Sequence, residues 1–130
     1  MTAKRKLGLL IAEDEDELRI LLATVLEAEG FKVFQAEDGL EGIELIKKHI
    51  DEIDIVLSDL GLPKLSGLDL IQQARKLKPT LKIIGSSGYG RVNIRDEVLN
   101  AGGDEFHPKP FIAGELIDAI KKLVGDTGIS

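Results

Sequence analysis

Acidic, hydroxyl and ammonium side chains stand at the ends of four apolar runs in this chain. Residues 7–12 (LGLLIA) run into Glu13-Asp14-Glu15, and IDIVLS runs into Asp59. LKIIG runs into Ser86-Ser87-Gly88, and EFH runs through Pro108 to Lys109 and Pro110. One such residue alone says little, because a lone Asp after an apolar run is commonly a turn former or a helix cap. Brought together, they make a particular chemistry. Two carboxylates ~4 Å apart repel by about 4 kcal/mol at an effective dielectric of about 20. A marginally stable fold would not keep that uncompensated. A divalent cation offsets it, and Mg2+ suits a few carboxylates, retained waters and phosphate oxygens. A carboxylate beside such an ion can attack phosphorus. A hydroxyl and a lysine can then donate to the phosphoryl oxygens.

The elements that must position these residues are legible as an alternation. Residues 7–12 read as strand 1. Leu18, Leu21, Leu22, Val25 and Leu26 then recur at helical spacing up to Gly30. FKVFQA (31–36) alternates like a partly exposed strand, and Asp38-Gly39 opens a helix with Ile43 and Ile46 on one side. IDIVLSD is strand 3. A third helix spans 67–78 and is stopped by Pro79. LKIIGSS (81–87) is strand 4, and 92–101 is a shorter helix ended by Gly102-Gly103. EFH (105–107) is a short fifth strand. Leu116, Ile117, Ile120, Leu123 and Val124 stripe a last helix. Alternating strands and helices predict an α/β fold, a parallel sheet with helices on both faces. Sites in such sheets form outside the carboxyl ends of the strands, where strand order reverses. Every chemical group singled out above falls at a strand end.

Composition narrows the class. The chain has 130 residues, 43% hydrophobic and 31% charged, which fits one soluble domain over residues 1–130 with its core at about 7–124. A net charge of -6 argues against direct nucleic-acid binding, which needs a concentrated basic face. The absence of cysteine excludes disulfides and thiolate chemistry and fits a cytoplasmic location. No apolar run approaches the ~20 residues of a membrane span. The basic start followed by residues 7–12 is too short for a secretion signal's apolar region, and acids follow it.

Nearly the whole chain resembles the receiver domain of two-component response regulators. The resemblance rests on the acids after strand 1 (AEDE), strand 3 with its turn (VLSDLGLP, then Ser66-Gly67), the strand 4 hydroxyl (IIGSSGY) and HPKPF after strand 5. It implies a doubly wound, flavodoxin-like, five-stranded sheet of order 2-1-3-4-5 with five helices. It implies that Asp59 is the phosphoacceptor. Glu13, Asp14, Asp59 and the backbone carbonyl of Gly61 would hold Mg2+, with Mn2+ as an alternative ion. Ser87 would be the switch hydroxyl and Lys109 the ammonium on the phosphoryl group, followed by a cis bond to Pro110. Phe106 stands where the family has its switch aromatic. The implied partners are a histidine kinase or histidine phosphotransfer protein, and a downstream protein or second copy on the helix 4–strand 5–helix 5 face. The chain would act alone through protein contacts or be the receiver of a longer regulator or hybrid kinase.

Some positions depart from the commonest family pattern. Glu13 replaces an Asp, which favours a metal contact through water. Gly61 and the bulky Tyr89 flank the path of attacking water and so bear on the lifetime of the phosphorylated form. Phe106 has no hydroxyl and can act only through packing. Other residues have plainer readings. Glu15, Asp16 and Glu17 cap the first helix or face solvent, Ser86 is structural, His49 ends a helix and His107 is a strand residue. GYGRVN (88–93) mimics a dinucleotide loop but lacks its third glycine; it would instead lend mobility to the connection after strand 4. The rival of a different class is a Mg2+-dependent haloacid-dehalogenase-like phosphatase with Asp14 as nucleophile. Leu18 spoils that motif, and no acidic pair follows Lys109. A flavodoxin-like flavin binder is the third reading, opposed by acids where a phosphate would sit without a metal.

Overall fold

The computed structural model describes residues 5–88 and 93–125. Among them run β1 (Gly8–Ala12), α1 (Asp16–Ala28), β2 (Lys32–Ala36), α2 (Gly39–Lys48), β3 (Ile53–Asp59), α3 (Gly67–Leu77), β4 (Lys82–Ser87), α4 (Ile94–Ala101), β5 (Glu105–Pro108) and α5 (Ala113–Val124). All strand pairs are parallel and the order is β2-β1-β3-β4-β5. Fold class, order and element count match expectation. Tyr89 and most of the GYGRVN segment, including the expected helix start at Val92, lie outside the described residues.

Central strands bury both faces, which is why β1 and β3 read as continuous apolar runs rather than alternations. Edge strand β2 is only partly buried, and its burial does not alternate strictly as the sequence pattern suggested: Lys32 and Gln35 are exposed, Val33 and Phe34 half-buried and Ala36 buried. One half of the core holds Leu10, Val56, Ile83 and Phe106 beneath α2, α3 and α4. The other holds Leu9, Ile11, Ile55, Leu57 and Ile84 beneath α1 and α5. Consecutive strand residues thus supply opposite layers, as the pleat requires. No described helix is long and apolar enough to cross a membrane.

Element ends differ from expectation by a residue or so, for identifiable reasons. Phe31 is not in β2 because its N–H bonds back to the Leu26 carbonyl, closing α1. Leu81 is not in β4 because its N–H is taken by the Lys78 carbonyl. Helix α2 starts where the Asp38 carboxylate accepts from the Glu41 N–H at 2.8 Å, and α3 where the Ser66 hydroxyl accepts from the Asp69 N–H at 3.2 Å. Gly102 ends α4 at φ 111, a left-handed value that a side chain would oppose.

Candidate functional site

Strand register brings the chemical groups to one rim. Ala12 of β1 pairs with Ser58 of β3, Asp59 with Ser86 of β4, and Ser87 with Pro108 of β5. Asp59 and Ser87 in these last pairs, and Glu13, Asp14 and Lys109 just beyond them, emerge side by side at the carboxyl edge, and β1 and β3 flank the reversal of strand order. A cleft of 490 Å³ opens there, lined by Glu13, Asp14, Asp59, Gly61, Ser87 and Lys109 together with Glu15 and Gly88. Six of the sequence-predicted site residues therefore share one cleft.

Lys109 is its centre. Its Nζ lies 2.7 Å from Glu13 Oε1 and 3.0 Å from Asp59 Oδ1. Glu13 is only 3% exposed, and its Oε2 accepts from the Glu15 N–H at 3.1 Å. Asp59 Oδ2 accepts from the Gly61 N–H at 3.1 Å. Burial pushes the Glu13 carboxyl above its ordinary range, and the bonds from Lys109 and the Glu15 N–H pull it back only in part. Burial also works against the Lys109 ammonium. Its bonds to Glu13 and Asp59 outweigh that and raise its pKa, so it stays charged at neutral pH. One carboxylate oxygen from each of Glu13, Asp14 and Asp59 falls within 4.8 Å of the others. Three acids and one lysine leave an excess of negative charge that suits a hard divalent cation.

Local backbone holds these groups in place. The Leu60 N–H bonds to the Ser86 carbonyl at 3.0 Å and the Gly67 N–H to the Leu60 carbonyl at 3.0 Å, folding the turn after Asp59 back on the sheet. A Cβ on Gly67 would stand 2.1 Å from the Asp59 carbonyl oxygen, so only glycine lets α3 start this close to the acceptor. The Lys109 N–H bonds to the Ser87 carbonyl at 3.1 Å, and the Lys109–Pro110 bond is cis, as the resemblance implied.

Phe106 is apart from the cleft. It is 9% exposed and packed beneath α4 with Ile83, Ile94 and Val98. Ser86 is buried, with its carbonyl on the Leu60 N–H. His107 stacks on Phe111 at 5.8 Å, and His49 ends α2 and meets Glu52 at 2.8 Å. Glu15 precedes α1 with no side-chain capping bond, while Asp16 and Glu17 occupy its first turn.

Two features escaped sequence reasoning. Arg19 is a buried cation on α1, invisible because a lone Arg on a helix reads as a surface residue. The other is an apolar groove of 570 Å³ between α1 and α5, lined by Leu18, Leu21, Val25, Phe111, Leu116 and Ile117. It shares Glu15, Gly88 and Lys109 with the cleft. The helical stripes named Leu18, Leu21, Val25, Leu116 and Ile117 but did not say which of them stay uncovered, and Leu21 is 59% exposed.

Fold and site together define a flavodoxin-like domain with acids and a lysine gathered at the switch point of its sheet. The chain belongs to the response regulator receiver domain family, whose model matches residues 9–121. It is 31% identical over 116 residues to sporulation initiation phosphotransferase F of Bacillus subtilis, covering 89% of this chain and 92% of that protein. It is 32% identical to the cell cycle transcriptional regulator CtrA of Caulobacter vibrioides over 88% of this chain but 49% of that protein. Among solved structures it resembles a CheY-like receiver domain protein of Methanospirillum hungatei. The TM-score is 0.85 and the identity 32%, covering 91% of this chain and 94% of that one. The chain thus spans nearly all of one relative and about half of another. Family membership rules against the phosphatase reading, and the ion pairs of Lys109 go to Glu13 and Asp59 rather than Asp14.

Proposed function

We propose that this receiver domain is a phosphorylation-controlled switch whose acceptor is Asp59. The observation that carries the reading is the convergence of three carboxylate oxygens within 4.8 Å, with the Lys109 ammonium 3.0 Å from Asp59 Oδ1. Asp14, Asp59 and the Gly61 carbonyl would hold Mg2+. Glu13, whose two oxygens already serve Lys109 and the Glu15 N–H, would meet the ion through water. The bound ion would offset charge on the acids and the incoming phosphoryl group.

Asp59 presents a carboxylate oxygen to phosphorus, in line with the leaving atom. The new P–O bond forms as the P–N bond to a donor histidine breaks, and the imidazole leaves with the electron pair. Lys109, 3.0 Å from Asp59 Oδ1, would follow a phosphoryl oxygen, and Ser87, which lines the same cleft, would donate a second bond. The added charge and acceptor oxygens draw these groups toward the β3 end. Lys109 and Ser87 are joined through the backbone, and Phe106 lies two residues before Pro108 on the same strand. Repacking of Phe106 beneath α4 would then bias the α4–β5–α5 face toward a downstream protein or a second copy. Water attack on phosphorus returns Asp59 to a carboxylate.

The donor would be a histidine kinase or histidine phosphotransfer protein in the cytoplasm. The α1–α5 groove suits its helical face, because it is apolar, exposes Leu21 and runs into the cleft at Glu15 and Lys109. The test is intact mass after incubation with acetyl phosphate, with Mg2+ or EDTA, for wild type and Asp59→Ala. One added phosphoryl group requiring both Mg2+ and Asp59 is expected. No adduct, or an adduct that survives Asp59→Ala, would overturn the assignment.

A further inference from the structure

Arg19 is 7% exposed on α1, and a guanidinium taken out of water costs several kcal/mol unless its donors are satisfied. Three partners satisfy it. Nη1 donates to the Glu13 carbonyl at 3.0 Å, Nη2 to Asp16 Oδ1 at 2.8 Å and Nε to Gln35 Oε1 at 3.3 Å. They come from three separate places: the turn after β1, the first turn of α1, and edge strand β2. The Glu13 carbonyl belongs to the planar peptide that joins Glu13 to Asp14. The orientation of that plane sets how both side chains leave the backbone. Asp14 is exposed, so its placement depends on the backbone that carries it.

We propose that Arg19 is a positioning residue for the cation site, holding the Glu13–Asp14 peptide so that both carboxylates face the cleft. The inference rests on the cation reading given above and names a residue that supports it from outside the cleft. Arg19 does not line the cleft and acts only through the backbone it binds. Gln35, an exposed residue on the α1 side of β2, completes the clamp by fixing the guanidinium plane. Groups that orient a metal's ligands typically change its affinity by about 10–100-fold. A merely structural arginine would change stability and leave the affinity of the folded protein alone.

Those two roles separate in a Mn2+ titration read by electron paramagnetic resonance of the free ion, with melting followed in EDTA. Arg19→Gln is expected to bind Mn2+ about 10–100-fold more weakly while remaining folded at the assay temperature. Gln35→Leu removes one tether at an exposed position and is expected to weaken binding about fivefold. Arg19→Lys keeps the charge but cannot span three partners, and should recover only part of the loss. Binding within about twofold of wild type in both Arg19→Gln and Gln35→Leu would overturn the inference. Should Arg19→Gln fail to fold, unchanged affinity in Gln35→Leu overturns it alone. A wild type that takes up no Mn2+ would overturn the cation reading itself, and this inference with it.

Discussion

Without a cation, Asp14→Asn should make the protein more stable. The reasoning is electrostatic. Asp14 shares a cluster with Glu13 and Asp59 in which one oxygen from each lies within 4.8 Å of the others. At that distance each like-charge pair costs about 3.5 kcal/mol at an effective dielectric of about 20, and about 1 kcal/mol in bulk water. Asp14 is exposed, which favours the lower figure. Lys109 offsets part of the repulsion, but its ammonium is committed to Glu13 and Asp59 at 2.7 and 3.0 Å. A net gain of about 1 kcal/mol remains, or roughly 3–5 °C in melting temperature for a domain of this size. The assay is a melt by circular dichroism in EDTA, with Glu17→Gln as the control for loss of one exposed negative charge on α1. Saturating Mg2+ should reverse the order. At 100 times its Kd the ion adds about 2.7 kcal/mol to the wild type, and Asp14→Asn loses most of that. An Asp14→Asn protein no more stable than Glu17→Gln in EDTA would refute the clustering, and with it the argument that the cleft is built for a cation.

Two further outcomes follow from the same geometry. Lys109→Met strands the Glu13 carboxylate, 3% exposed, and should cost about 2–4 kcal/mol in metal-free urea unfolding at neutral pH, largely restored by adding Glu13→Gln. The pH dependence has a definite sign: a carboxyl whose folded pKa is raised contributes fully below its ordinary value of 4.5 and loses that contribution as pH rises through the raised one. The deficit of Lys109→Met should therefore grow as pH is raised above 4.5, and a flat profile would count against the buried pair. Leu21→Asp, at a groove position 59% exposed, should leave stability within about 0.5 kcal/mol and acetyl phosphate labelling unchanged. It should slow transfer from a phosphorylated histidine phosphotransfer protein that labels the wild type by about tenfold. Equal transfer from that donor would remove the groove from the docking surface.

The chain's local chemistry already specified the elements and the rim. Buried parallel strands must be apolar on both faces, so β1 and β3 announce themselves as continuous runs, and the residues that end them are conspicuous by contrast. The helix starts at Gly39, after Asp38, and at Gly67 were legible because the caps that fix them, on Asp38 and Ser66, are contacts within one turn. Long-range partnerships were not. Lys109 and Glu13 stand 96 residues apart in sequence and 2.7 Å apart in space, and nothing local states which acid the lysine would choose. Arg19 and Leu21 show the limit most clearly. Two positions apart on one helix, the arginine is buried and the leucine exposed, the reverse of their ordinary preferences. Helical periodicity reports which residues share a face. Which face is covered, and whether a charge there finds enough partners to stay, depends on the strand and helix that arrive beside it.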